Sequence, residues 1–217
     1  MRALQKLMLI VGVVSLATAL LAVFRPWEFY AWMEFNYVKG HAEEIAEAIE
    51  LNREARFRRD AGVNQTVIEV RVVLPGEQPL AIRVEYSRIV FPVPVYGHAV
   101  LRGKNTTWVR EPLVCVVQEG SRIIIDPKPV LNYTRRLEQG RVVHTILILL
   151  FRLPYQSLEE DTTIYPSEIV KQVYTRAYSY TGTSEVCING KQTEAFRVSE
   201  GDILEVIVVL HVWDVKS

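Results

Sequence analysis

The chain opens on a long apolar run and then changes its hydrophobic period twice. Leu7 to Phe24 reads LMLIVGVVSLATALLAVF, 18 residues without a charge. That length is near the minimum for a helix crossing a hydrocarbon layer roughly 30 Å thick, so the pattern predicts a transmembrane helix over 7–24 that contacts membrane lipid. Arg2 and Lys6 precede it with no acidic residue nearby. Positive flanks stay on the cytoplasmic side, so the remainder is expected to be extracellular, behind a single-pass signal-anchor in a cell membrane. The alternative is a secreted chain cleaved near Ala19, because Ala17-Thr18-Ala19 has the small-x-small form of a signal-peptide site. The apolar run continues past that site to Phe24, which favours the uncleaved anchor.

After Arg25-Pro26 the segment WEFYAWMEFNY places Trp27, Phe29, Tyr30, Trp32, Phe35 and Tyr37 within eleven positions. At 100° per residue these rings fall all around a helix and form no single stripe. Two readings follow: a membrane-interface or subunit-contact belt, for which these six are the candidates, or an apolar helix of the domain core. Beyond Gly40 the stretch HAEEIAEAIELNREARFRRD is amphipathic, with Ala42, Ile45, Ala48 and Ile49 at helical spacing. Its acids lead and its arginines follow, the order that the helix dipole favours. Residues 1–6 thus read as a cytoplasmic tip, 7–24 as the anchor, and 25–60 as an aromatic and amphipathic stalk kinked near Pro26 and Gly40.

From Asn64 the period shortens to two. TVIEVRVV (66–73) and LAIRVEY (80–86) alternate as strands around a Pro75-Gly76 turn. RIVFPVPVY (88–96) carries Pro92 and Pro94, which remove ladder donors and place it at a sheet edge or in a covered crossing. Further strands are expected at 97–102, 113–118, 122–126, 141–151 and 203–213, the last two rich in β-branched residues and buried on both faces. Many short strands between frequent turns indicate an exported β-sandwich over 61–217. PSEIVKQVYTRAYSY (166–180) fits an amphipathic helix or a tyrosine-rich strand. The fold class expected is therefore α+β: a long N-terminal helix, then a mainly antiparallel β-sandwich with one helix near 166–180.

Charge removes some functions. The chain has 25 basic and 25 acidic residues, which argues against a nucleic-acid partner, whose phosphates need a basic excess. Arg2 and Lys6 lie before the apolar run, so the rest carries a slight acidic surplus. His41, His98, His144 and His211 are dispersed, with no HExxH, GxSxG or phosphate-cradling glycine loop in the chain. No catalytic constellation, metal site or cofactor site is assigned, and the chain does not read as an enzyme. His144 and His211 stand in apolar strands and read as core histidines. Glu159-Glu160-Asp161 reads as a solvated loop.

Asn64, Asn105 and Asn132 each begin a glycosylation sequon, and all three lie on the side that the anchor would export. Cys115 and Cys187 form an even pair in an exported domain, readable as a disulfide or as two buried thiols.

The succession of an apolar N-terminal helix, the AEEIAEAIE extension, strands opening as VIEVRVVLP and a close on GDILEVIVVLHVWDV resembles archaeal type IV pilin-like and archaellum-associated surface proteins. The likeness lies in layout across most of the chain. It implies apolar helices packed together in a complex or filament core and a β-domain, often glycosylated, facing outward. MRALQK lacks the basic-Gly site of prepilin peptidase, and no Glu follows at the pilin assembly position, so the resemblance implies an accessory component. The expected function is protein–protein contact in a surface filament or envelope assembly, with homo- or hetero-oligomeric partners and lateral contacts by strand addition along 88–96. The alternative is a tethered solute- or glycan-binding module, or the auxiliary subunit of a surface enzyme complex. A pocket formed around Tyr155, Tyr165, Tyr174, Tyr178 and Tyr180 would mark that case.

Overall fold

The structure, a computed structural model, describes residues 2–216, with the side chains of 2–5, 7, 20, 23 and 24 outside the description. Two helices come first, α1 (Arg2–Phe24) and α2 (Pro26–Glu50). Eleven strands follow: β1 (Ala55–Arg56), β2 (Ala61–Val73), β3 (Leu80–Arg102), β4 (Val114–Pro127), β5 (Val130–Glu138), β6 (Arg141–Arg152), β7 (Ser157–Leu158), β8 (Thr163–Ala177), β9 (Gly182–Ile188), β10 (Lys191–Val198) and β11 (Ile203–Lys216). They form a five-stranded sheet in the order β1-β8-β11-β6-β5 and a six-stranded sheet containing β10-β9-β2-β3-β4, with β7 against β2.

One hydrophobic core lies between the sheets. Ile68, Val70, Ile82 and Val84 of one sheet meet Ile146, Ile148, Val206 and Val208 of the other. A second core lies beside it, where Val38, Ala42, Ile45 and Ala46 of α2 pack with Ile89, Phe91, Val116, Ile123 and the buried Trp213. The alternation of the strand sequences supplies the first core, and the 3.6-residue period of α2 supplies the second.

The single long N-terminal helix expected from sequence is corrected. The segment is two helices, broken at Arg25, which takes left-handed φ 39°, ψ 58°. Pro26 opens α2, where its missing N–H costs nothing, but the same ring would clash with the carbonyl four residues back in a continuous helix. The bulk of the chain is in strands, and among the described residues no helix is long and apolar enough to cross a membrane. The transmembrane signal-anchor over 7–24, and the cell-membrane placement that rested on it, are corrected by that finding. Met1 and the side chains of Arg2 to Gln5, part of the expected cytoplasmic tip, lie outside the described residues.

The segment 166–180 is also corrected: it forms most of β8, not a helix. Here β11 offers fourteen paired positions, from Ile203 against Ala177 to Lys216 against Thr163, which satisfy its backbone on one side. The segment 88–96 is flanked by strands on both sides only as far as Val90, and beyond that point it is a covered crossing. It belongs to β3, which lies between β2 and β4, and Phe91 and Val93 are buried in the core that α2 covers. Its prolines fit because β2 pairs with β3 only as far as Val90, so beyond that point one side needs no ladder donor. The sheets also contain one parallel pair, β6 with β11, in an otherwise antiparallel arrangement.

Candidate functional site

The two halves of α2 have different surroundings. Val38, His41, Ala42, Ile45 and Ala46 recur at helical spacing, so their stripe faces β3 and β4 and is buried. His41 is held within this contact: its Nε2 accepts the Arg58 backbone N–H at 3.1 Å, and its ring lies edge-on to Phe57 and Phe91. Burial first, and then the nearby Arg58 charge, lower its pKa from the usual 6.5. At the helix end Glu50 accepts hydrogen bonds from Arg102 at 2.6 Å and from the Val114 N–H at 2.7 Å. Arg59 reaches back to Glu34 at 3.3 Å, an ion pair to the half of the helix that precedes Val38.

Before Val38 the helix stands clear of the sheets. Trp27, Phe29, Tyr30, Trp32 and Tyr37 are exposed, and Phe35 alone among the six candidates turns partly onto the α2 core. The structure thus brings the six onto one helix, with five facing outward all around it. Phe29 stacks on Trp32 at 6.3 Å, so part of the aromatic surface covers itself. Sequence reasoning missed Met33, exposed with them, because it lacks a ring. The α1 helix continues this surface: Met8, Leu9, Ile10, Val11, Val13, Val14 and Leu16 are each more than half exposed. A helix apolar on every side is normally buried on every side. This surface can offer dispersion and water release, while charged side chains along it are already paired, Arg25 with Glu28 and Glu34 with Arg59.

The other candidates are scattered. Asn64 lies exposed in β2 and Asn105 exposed after β3, its Oδ1 accepting the Lys128 ammonium at 3.1 Å, while Asn132 is half-buried in β5. Cys115 and Cys187 are both free, in β4 and β9. Two strands separate those elements, which puts them about 14 Å apart at one strand spacing per step, beyond the reach of a disulfide. Burial raises the Cys115 pKa and leaves it an inert thiol among Val90, Val117 and Ile124.

The five tyrosines do not converge on a pocket. Tyr178 is buried with its hydroxyl on Ser184, Tyr155 donates to Asp214, Tyr165 lies under the Lys216 ammonium, Tyr174 fringes the inter-sheet core, and Tyr180 is exposed. His144 is a core histidine with both nitrogens engaged, Nδ1 with the Tyr133 hydroxyl at 2.8 Å and Nε2 with Asp202 at 3.2 Å. Burial raises the Asp202 pKa, but hydrogen bonds from the Ser199 N–H and His144 outweigh it and the net shift is downward. His211 is half-buried at a cavity of about 250 Å³ that Ile49, Leu113, Phe151 and Trp213 also line. Glu50 and Lys128 reach that cavity too, yet both are already paired, with Arg102 and with Asp126. Among the described residues no three His, Cys, Asp or Glu side chains are placed to hold a metal ion. No protein-family model, curated protein or solved structure matches this chain.

Proposed function

We propose that the chain is a component of a protein assembly, pilin-like in design, in which copies associate through α1 and the free half of α2 while the two-sheet body faces outward. The observation that carries this is the exposure of large apolar side chains along both segments, Met8 to Leu16 and Leu21 in α1 and Trp27, Phe29, Tyr30, Trp32, Met33 and Tyr37 in α2. One partner surface would cover only one side of such a helix. A bundle of several copies covers all sides, because each helix has neighbours around it. Gly12, Ser15, Ala19 and Ala22 recur at intervals of three, four and three, the spacing of a helix seam, and a side chain added at Gly12 would meet nothing within 4 Å. Copies packed along that seam approach closely, and the absence of charge from Leu7 to Phe24 removes repulsion between them. The ligand-binding reading has weaker support: the cavity is below the roughly 300–1,000 Å³ usual for ligand pockets, and its charged groups are already paired.

The test is sedimentation of the full chain in detergent-free buffer beside Val13→Glu/Leu16→Glu, with flotation on phosphatidylcholine vesicles in parallel. A discrete oligomer or filament that the double variant disperses, with an unchanged β spectrum, is the expected result. A monomer at micromolar concentration, or a monomer that floats with vesicles, would overturn the proposal.

A further inference from the structure

The long strand β8 has only one full neighbour. It pairs with β11 along its length, but on its other side β1 covers just Thr163 and Ile164. From Ser167 to Ala177, eleven residues, that edge has no strand partner among the described residues. Proteins normally blunt such an edge, because its free N–H and C=O groups template further pairing. Here the boundaries are blunted: β1 and Pro166 close one end, and the strand stops at Ala177 on the other. The interior has no proline, and Ile169 and Val173 are exposed on its outer face at 65% and 48%.

We infer that β8 pairs antiparallel with β8 of a second copy of this chain, joining two five-stranded sheets into one. Complete overlap of the free segment with itself is centred on Gln172, since 167 then lies opposite 177. That register places Glu168 opposite Arg176 of the second copy, twice over by symmetry. On the same face Val170 meets Tyr174, and both are only partly buried against the inter-sheet core in one chain. Lys171 falls opposite Val173. Moving the centre by one residue, to Lys171, would set two ammonium groups against each other, and like charges directly opposite are destabilising. The length of the free edge and the side-chain pairing therefore select the same register independently. Arg176 already holds Glu77 at 2.7 Å and the Gln78 carbonyl at 3.3 Å through its terminal nitrogens, which fixes it at the rim where Glu168 of the second copy arrives. A two-fold pairing of this kind is isologous and closes at two copies per edge. It is separate from the helix-mediated association.

A cysteine at the centre reads the register directly. Residues directly opposite have Cα atoms roughly 4.5–5.5 Å apart, within the range of a disulfide. In the full chain carrying Cys187→Ser, Gln172→Cys is expected to give a covalent dimer under mild oxidation. Ile169→Cys gives none, because its two copies stand six positions apart, about 20 Å. Adding Glu168→Arg to the Gln172→Cys chain creates two like-charge pairs and slows the cross-link about tenfold. The inference is overturned if Gln172→Cys stays uncross-linked, if Ile169→Cys cross-links equally, or if Glu168→Arg leaves the rate unchanged. Because Gln172 is exposed, its replacement leaves the fold intact, and a missing cross-link is a result about pairing.

Discussion

The Glu50 carboxylate receives the Arg102 guanidinium at 2.6 Å on one oxygen and the Val114 backbone N–H at 2.7 Å on the other, so one side chain ties the end of α2 to β3 and β4. Arg102 Nη1 is buried without a partner, so this guanidinium relies on the remaining pair. Glu50→Ala is expected to cost about 2–4 kcal/mol, with Glu50→Gln costing less because it still accepts from Val114. Urea denaturation measures the loss, and proteolysis within 26–50 should accelerate in step with it.

His41 makes the docking of α2 depend on pH. Its folded pKa is lowered, so between that value and 6.5 the unfolded chain binds more protons and stability rises with pH. The contribution is complete above 6.5 and declines as pH falls toward the folded value. Protonation also removes the lone pair that accepts the Arg58 N–H. Denaturant midpoints across pH 5–8 should fall toward acid, and His41→Phe should flatten the curve. The Asp202 shift acts in a lower window, below its ordinary 3.8, so the two contributions separate.

Asp126 is buried at 3% exposure against Lys128 at 2.6 Å, the Tyr86 hydroxyl at 3.2 Å and Arg88 at 3.3 Å. Removing the acid leaves two cations facing each other, whereas removing Lys128 leaves the acid with Arg88 and Tyr86. Asp126→Asn is therefore expected to destabilise by about 3–5 kcal/mol and Lys128→Met by about 1–2 kcal/mol. Equal losses in thermal or chemical denaturation would refute the ranking.

Trp27 and Trp32 are exposed at 57% and 60%, while Trp213 is buried at 1%. If copies pack around this region, concentration-dependent assembly should blue-shift the emission and protect part of it from acrylamide. Trp27→Phe/Trp32→Phe should abolish the change without altering the Trp213 component. Emission that does not vary from nanomolar to tens of micromolar would contradict the helix-bundle proposal.

Several strands were legible because their chemistry was local. The apolar runs that became β6 and β11 are central in their sheet, as their β-branched composition suggested, but β11 alternates buried with half-buried positions and is not buried on both faces. Their parallel pairing was not legible, since a strand carries no mark of its neighbour's direction. At β8 the ambiguity was arithmetic. Ile169, Val170, Val173 and Tyr174 repeat at four, which is about one helical turn and also an even number of strand residues, so both periods fit. Only the fourteen-position match with β11 decides it. The aromatic belt was visible as composition, but its exposure depends on where the α2 stripe leaves the sheets at Val38, a tertiary fact. Glu50, Arg102 and Val114 are brought together from three elements, and no spacing in the chain announces them.

The break at Arg25 turns α1 into a lever with one fulcrum. Its 23 residues make an arm of about 35 Å, so ten degrees of rotation at that single residue carries the far tip about 6 Å. The docked half of α2 does not share that rotation, because Pro26 separates the two hydrogen-bonding ladders. In an assembly built on α1, bodies of fixed shape could then be set at different pitches on one helical core. The spacing between neighbours would be absorbed by one pair of backbone torsions, with both cores of the body left as they are.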